Sequence, residues 1–314
     1  MNRITLIITF LFFSSSVCSN EYFERYKAEK INETVYVIHG PRELPNAVNR
    51  GFMNNPAFIV ADKSVIVIDP GTSHETGSML LREISKITDK PVSHIFNTHI
   101  HGDHWLANDI IRQQYPQVKI IADQRMIKKA KSGVAQLWID RMEKMTEYAS
   151  KGTKIAYPDT PVSSGQQIKV AGKTFNIHSV GVAHSDTDIM IEYVEGSTLF
   201  TGDNAANRRI MRMDDGDFRD SIKAMEKAVA LKLKYYVPGH GRTGGVEIVQ
   251  MQKEYFDTLY SQVVRYYEEG LEDFEMKPKI EAILNKFKDW SGFNSELGKH
   301  ISLAKLEVEK AEFE

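Results

Sequence analysis

Apolar runs and amphipathic segments alternate along the first part of the chain. Short runs rich in β-branched residues predict strands at 35–40, 57–61, 64–69, 93–98 and 118–122. The second and third of these runs are separated only by Asp62 and Lys63, which predicts a hairpin. Helical patterns occupy 76–88 and the segment around Ile110. This alternation of strands and helices is typical of an α/β fold.

Residues 124–150 have the composition of one long helix. Its predicted apolar side contains Val134, Leu137, Trp138 and Met142. Two interpretations stay open, namely a packed surface helix and a mobile lid over an active site, because lids are often long inserted segments.

The middle of the chain predicts a second sheet. Four short apolar runs with turn residues between them fall within 167–200, which favours antiparallel strands. A helix follows, with apolar residues at helical spacing at Phe218, Ile222, Met225 and Val229. Residues 235–238 are the last predicted strand.

From Val246 onward the pattern is wholly helical. One predicted apolar face contains Ile280, Ile283, Leu284 and Phe287, and another contains Leu297, Ile301, Ala304 and Val308. The sequence therefore predicts a domain over 20–245 and a helical C-terminal cap over 246–314. We expect the cap and the segment 124–150 to flank the active-site cleft.

The N-terminus has the layout of a signal peptide over 1–19. Arg3 precedes an apolar run over 4–13, which is too short to span a bilayer, and small polar residues follow it. We expect cleavage after Ser19, no transmembrane span afterwards, and a periplasmic or secreted protein. Cys18 offers lipidation as an alternative. Cleavage would remove the only cysteine of the chain, so the mature protein could form no disulfide and offer no thiolate to a metal.

Charge excludes one class of partner. The 314 residues include 40 Lys and Arg against 42 Asp and Glu, so no overall basic surface favours nucleic acid. We expect a small-molecule partner instead, and the sequence does not predict an oligomeric state.

Histidines and aspartates cluster directly after the predicted strand 93–98. His99 and His101 alternate with other residues in an extended segment, so both side chains point the same way and can bind one ion. Asp103 and His104 follow the turn at Gly102 and can reach a second ion. Three further candidates, each close to a glycine in a predicted loop, are His184, Asp203 and His240.

The motif HxHxDH, followed by a distant histidine, a Gly-Asp and a Gly-His, resembles the metallo-β-lactamase superfamily over about 30–245. Within it, the chain is similar to glyoxalase II-type hydrolases and to secreted quinoprotein relay system zinc metallohydrolases. The resemblance implies a four-layered αββα sandwich with a helical C-terminal extension.

The resemblance also implies a role for each candidate. The first metal would be bound by His99, His101 and His184, and the second by Asp103, His104 and His240. Asp203 would bridge both ions, and Asp69 would orient a ligand histidine unless it is only a turn residue. Imidazole and carboxylate ligands suit zinc, our first choice, but also accept manganese or iron.

Two ions would activate a shared hydroxide for attack on a carbonyl, with Asp103 as the catalytic residue that orients it. Suitable substrates are anionic esters, thioesters, lactones or β-lactams, and the missing cysteine lowers the rank of a β-lactamase proper. A mononuclear iron oxidoreductase acting on persulfides is the alternative from another class. Arg208 and Arg209 follow Asp203 and are candidates for gripping a substrate carboxylate, against the interpretation that both are solvated.

Overall fold

The computed structural model describes residues 21–312, so the predicted signal peptide and its cleavage site lie outside the described residues. The first sheet contains seven strands that neighbour one another in chain order: β1 Glu29–Lys30, β2 Val35–Val37, β3 Ala57–Val60, β4 Val65–Ile68, β5 Val92–Phe96, β6 Lys119–Asp123 and β7 Thr160–Val162. The pairs from β1 to β4 are antiparallel, which includes the predicted β3–β4 hairpin, and those from β4 to β7 are parallel.

The second sheet has the order β12-β11-β10-β9-β8. Its strands are β8 Gln167–Val170, β9 Lys173–His178, β10 Met190–Tyr193, β11 Thr198–Ala206 and β12 Tyr235–His240. The four strands β8 to β11 pair antiparallel, as the sequence predicted, whereas β12 adds in parallel beside β11. The parallel pair brings the ends of β11 and β12 to the same edge of the sheet.

Helices surround the two sheets. They are α1 His74–Ser85, α2 Gly102–Trp105, α3 Asn108–Gln114, α4 Gln124–Lys129, α5 Ala135–Met145, α6 Phe218–Ala230, α7 Glu247–Glu268, α8 Asp273–Ile283 and α9 Phe293–Ala311. A π-helical segment, Ala130–Val134, separates α4 from α5, and a 3-10 turn, Asn285–Phe287, follows α8.

Three buried clusters define the layers. The two sheets pack face to face through side chains such as Phe96 and Phe175, whose rings lie 5.0 Å apart. On the outer face of the first sheet, α1 contributes Met79 and Leu80, and on the outer face of the second, α6 contributes Met225. The protein is therefore the four-layered αββα sandwich that the resemblance implied.

The single helix expected over 124–150 is wrong. Gly133 adopts φ 103° inside the π-helical segment, a conformation that breaks a regular helix, and α5 ends at Met145. The predicted apolar side is also wrong at Leu137, which is 66% exposed. The buried side of α5 contains Ala135, Ile139 and, as predicted, Met142.

The C-terminal region is helical, as predicted, and packs against the rest of the chain. Residues from α7, α8 and α9 share a buried cluster with Ile210, Met213 and Phe218. Ile283 does not belong to it, since it is 46% exposed, which corrects one predicted face. Within residues 21–312, none of the helices combines the length and the apolar character needed to cross a membrane.

Candidate metal centre and active site

Strand ends and a short helix bring seven predicted side chains together between the two sheets. His99 and His101 follow β5, Asp103 and His104 lie in α2, His184 lies in the loop after β9, Asp203 lies within β11, and His240 is the last residue of β12. All are buried except His101, which is half-buried. Asp203 lies inside its strand rather than after it.

The seven side chains form two groups that share one carboxylate. His99, His101, His184 and Asp203 make the first group, and Asp103, His104, His240 and Asp203 make the second. Within each group, one potential ligand atom per residue lies within 4.8 Å of the others. These are the groups that the resemblance implied.

The distances in the second group suit a tetrahedral ion. His104 Nε2 lies 3.2 Å from Asp203 Oδ1, and His240 Nε2 lies 3.3 Å from both Asp103 Oδ2 and Asp203 Oδ2. Ligands about 2.0 Å from a tetrahedral zinc ion are themselves about 3.3 Å apart. The first group is looser, because His99 Nε2 lies 3.8 Å from Asp203 Oδ2, although His101 Nδ1 and His184 Nε2 are 2.9 Å apart.

Several polar atoms here are buried without a hydrogen bond. His99 Nε2, His104 Nε2 and Asp203 Oδ1 face the cluster, and none forms a bond of acceptable geometry. Leaving such atoms unpaired is costly, and a cation in each of the two groups would satisfy them. The residues present therefore fit divalent metal ions.

Burial and charge act against each other in the cluster. Burial raises the pKa of Asp103 and of Asp203, but the neighbouring histidines His104 and His240 outweigh it and hold both pKa values well below the ordinary range. Burial likewise lowers the pKa of His104, but the adjacent carboxylates outweigh it and raise that pKa well above 6.5. The carboxylates are therefore ionised and attract cations.

Asp69 contacts a ligand candidate from behind. Its Oδ2 lies 2.8 Å from His104 Nδ1, and its Oδ1 accepts a hydrogen bond from the Thr98 N–H at 2.8 Å. This arrangement leaves His104 Nε2 turned toward the cluster. Asp69 is also a turn residue, with φ 47°, so both interpretations of the sequence apply to it.

Two further orienting contacts could not be read from the sequence. The Met53 carbonyl oxygen lies 2.8 Å from His240 Nδ1, so this ring also presents Nε2 to the cluster. Asp215 Oδ2 lies 3.1 Å from His101 Nε2, on the side of the ring opposite His184. Both come from loops without a motif, and a backbone carbonyl leaves no sequence signal at all.

Glycines beside two ligand candidates allow close approach of the backbone. A Cβ at Gly239 would lie 2.0 Å from Asp203 Oδ1, and Gly202 has φ +52° with its Cβ position 2.7 Å from Thr98 Oγ1. No larger residue fits either place without moving Asp203 or Thr98. The glycine signal was thus informative at Asp203 and His240.

The two candidate arginines differ. Arg208 is exposed, which agrees with the solvated interpretation. Arg209 is buried, lines the cavity beside the metal-binding side chains, and leaves Nη1 without a hydrogen-bond partner. Burial lowers the pKa of Arg209 against the opposing effect of Asp203 and Asp103. A buried cation with an unused donor can bind an anion.

A cavity of about 270 Å³ opens over the cluster. Besides Arg209 and five of the seven metal-binding candidates, its wall includes Trp138 and Met142 of α5, so the 124–150 segment flanks the cleft as expected. Of the described part of the C-terminal cap, 246–312, no residue is among those lining it, which corrects the expectation that the cap borders the cleft directly. A volume of this size suits a small molecule.

Comparison with known proteins places the chain in a family. The family model of the metallo-beta-lactamase superfamily matches residues 49–240, and the chain belongs to this superfamily. A probable metallo-hydrolase of Methanocaldococcus jannaschii is 28% identical over 201 residues, which are 62% of this chain and 90% of the relative. The hydroxyacylglutathione hydrolase of Prochlorococcus marinus is a more distant relative, 24% identical over 54% of this chain and 57% of its own.

Solved structures show the same fold. A metallo-beta-lactamase from Pontibacter korlensis has a TM-score of 0.58 at 16% identity, covering 74% of this chain and 99% of its own. The sec-alkylsulfatase Pisa1 from Pseudomonas sp. has a TM-score of 0.69 at 14% identity, covering 90% of this chain and 50% of its own. This chain thus spans half of that sulfatase.

Proposed function

We propose that this protein is a binuclear, zinc-dependent hydrolase that cleaves a small carbonyl substrate bearing a negative charge. The observation that carries the proposal is the pairing of two complete ligand groups through Asp203. Seven ligands exceed what one tetrahedral ion can use. Membership of the superfamily and similarity to metallo-hydrolases support hydrolysis as the reaction.

The chain's own residues would divide the work. When bound, a pair of divalent ions supplies Lewis acidity, which lowers the pKa of water and polarises a carbonyl group. Asp103, the carboxylate of the second group, would accept a hydrogen bond from the attacking water and orient it. Asp69 would keep His104 in the correct tautomer through the 2.8 Å contact at Nδ1.

Charge favours an anionic substrate. Two divalent ions bring more positive charge than Asp103, Asp203 and a hydroxide offset, and Arg209 adds a buried cation to the cavity wall. Among the described residues, Arg209 forms no ion pair, so its charge is available to a ligand. A carboxylate-bearing ester, thioester, lactone or β-lactam fits this environment.

The test combines a metal count with a substrate panel. We expect about two zinc ions per chain by elemental analysis of the reconstituted protein. The panel contains a carboxylate-bearing lactone, a thioester, a chromogenic cephalosporin, a phosphodiester and a secondary alkyl sulfate, each assayed with the zinc-loaded and the chelated protein. One iron per chain, or turnover of only the phosphodiester or the sulfate, would contradict the proposal.

A further inference from the structure

Two sets of apolar side chains, called walls below, line the cavity above the metal-binding candidates. One wall contains Met53, Pro45 and Leu44, and it starts next to His240, whose ring contacts the Met53 carbonyl. Met53 is buried, whereas Leu44 is 65% exposed, so this wall runs from the floor to the rim.

The second wall is provided by α5. Trp138 packs 5.0 Å from the His101 ring, Met142 is buried, and Met145, one turn nearer the mouth, is 36% exposed. All three line the cavity. Methionine side chains are flexible and polarisable, so such a wall adapts to chains of different shape.

Charged residues at the mouth are already engaged. Arg212 pairs with Asp214 at 2.7 Å, Asp215 contacts His101, and the Arg141 guanidinium lies 4.8 Å from the centre of the Trp138 ring. These charged side chains also line the cavity, but each has a partner within the protein, whereas the apolar walls have no polar partner to keep. Exposed apolar residues that continue into a binding cavity mark a ligand site.

We propose that the substrate is amphipathic, with an unbranched apolar chain lying between Leu44 and Met145 and an anionic group facing Arg209. This inference rests on the proposed hydrolytic function, because the scissile carbonyl would lie at the metals. It adds that part of the binding energy comes from burying the chain. The walls connect directly to the cluster, so the chain belongs to the same molecule that is cleaved.

The test uses a chromogenic series, 4-nitro-3-(acyloxy)benzoates with straight acyl chains of increasing length, on the zinc-loaded full chain. Each buried methylene favours binding about two- to fourfold. We therefore expect kcat/KM to rise by that factor per methylene and to level off once the chain passes the rim. A rate independent of chain length would overturn the proposal.

Variants of the two walls test whether these residues cause the dependence on chain length. Leu44→Ser combined with Met145→Gln is expected to reduce the advantage of the longest over the shortest ester at least tenfold. Leu137→Gln is the matched control, since Leu137 lies on the same helix, is 66% exposed and does not line the cavity. It should leave the whole series unchanged. An equal loss at every chain length in the double variant would contradict the assignment of the walls.

Calorimetric binding and sedimentation distinguish this proposal from a failure of the hydrolytic function and from a contact between copies of the chain. Calorimetric titration with straight-chain carboxylates should show affinity rising with chain length even if no ester is cleaved, in which case hydrolysis fails and the apolar walls stand. If the double variant changes only the sedimentation behaviour and not the dependence on chain length, the rim is a contact between copies and the proposal is wrong.

Discussion

Asp69 shows how much of the site depends on one residue behind the ligands. Its backbone occupies the left-handed region, with φ 47°, which aspartate tolerates better than most residues. From that position its carboxylate contacts both Thr98 and His104. A single turn after β4 therefore fixes the start of the HxHxDH segment and the orientation of one imidazole.

Replacing Asp103 tests the proposed orientation of the attacking water. Asp103→Asn keeps the size of the side chain at a buried position, so we expect the fold to persist. Turnover should fall by about two orders of magnitude or more, because the variant keeps only one acceptor oxygen and loses the negative charge beside His240. Steady-state kinetics with circular dichroism as a folding check measures both. Near-normal turnover in a folded variant would remove this role from Asp103.

The two adjacent arginines form a natural control pair. Arg209→Ala is expected to lower kcat/KM for a carboxylate-bearing ester about 10- to 100-fold, which corresponds to one charge-assisted contact, and to change an uncharged ester of the same shape much less. Arg208→Ala should affect neither, since Arg208 is exposed. Equal losses on charged and uncharged esters would mean that Arg209 acts only through structure.

For individual residues, the sequence predicted those site residues that belong to a motif. The seven clustered side chains, Asp69 and Arg209 were all candidates, because residue type and spacing carry their chemistry. Asp215 and Met53 were missed, since one is an aspartate in a loop rich in acids and the other acts through its backbone. Arg208 and Arg209 differ in burial, since the first is exposed and the second buried, and the sequence of two adjacent arginines does not show which of them is buried.

Helix α9 contains a glutamate, Glu307, whose carboxyl group is largely buried. Glu307 accepts a hydrogen bond from the N–H of Phe218, the first residue of α6, at 2.7 Å, while its other oxygen is buried without a partner. Burial raises the pKa of Glu307 to about 7, with Asp217 adding to the shift. The charged form is thus disfavoured in the folded protein.

The pH dependence follows from that direction. Between about pH 4.5 and 7 the folded state keeps the proton that the unfolded state has lost, so Glu307 makes the free energy of unfolding fall as pH rises. Glu307→Gln keeps an acceptor for Phe218 and removes the titration. Relative to wild type, the variant should gain about 1 to 2 kcal/mol between pH 5 and pH 8, discounted for partial exposure.

Chemical denaturation at the two pH values measures this gain. Glu309→Gln, two residues further along the same helix, is the control and should show no comparable change. A difference between Glu307→Gln and wild type that is the same at both pH values would contradict the prediction.

The helix expected over 124–150 illustrates what pattern alone misses at the scale of elements. The composition predicted helix correctly for most of the segment, but the periodicity did not register the break at Gly133. That break re-aims α5, so that Trp138 and Met142 face the cavity while Leu137 faces solvent. Tertiary packing here decided which side of the helix is inside. Whether the segment opens as a lid stays a prediction.

For the whole molecule, metal removal should be a large perturbation. The cluster buries carboxylates between both sheets, and ions that bind only the folded state stabilise it by about 4 kcal/mol at a thousandfold excess over Kd. Chelation should therefore lower Tm by roughly 10 °C. Differential scanning calorimetry of the zinc-loaded, chelated and reloaded protein measures the shift. An unchanged Tm in protein shown to be metal-free would contradict a cluster coupled to folding.

The layered fold could be predicted because strand and helix periods are local, and because the HxHxDH motif carries the resemblance to a superfamily with this fold. The position of the C-terminal region could not, since its helices carry no motif and their partners lie elsewhere. Their buried cluster includes Ile210 and Met213, which follow Arg209 in the loop after β11.

That loop is held mainly from the C-terminal side. Ser291 accepts a hydrogen bond from the Ile210 N–H at 2.8 Å and donates one to the Arg208 carbonyl at 3.1 Å, while His300 Nε2 lies 2.8 Å from the Met211 carbonyl. The metal-binding candidates, by contrast, come from β11, the end of β12, the segment after β5, α2 and the loop after β9. The position of Arg209, the proposed anion-binding residue, thus depends on the C-terminal helices, so substitutions that shift those helices are expected to change the preference for charged substrates.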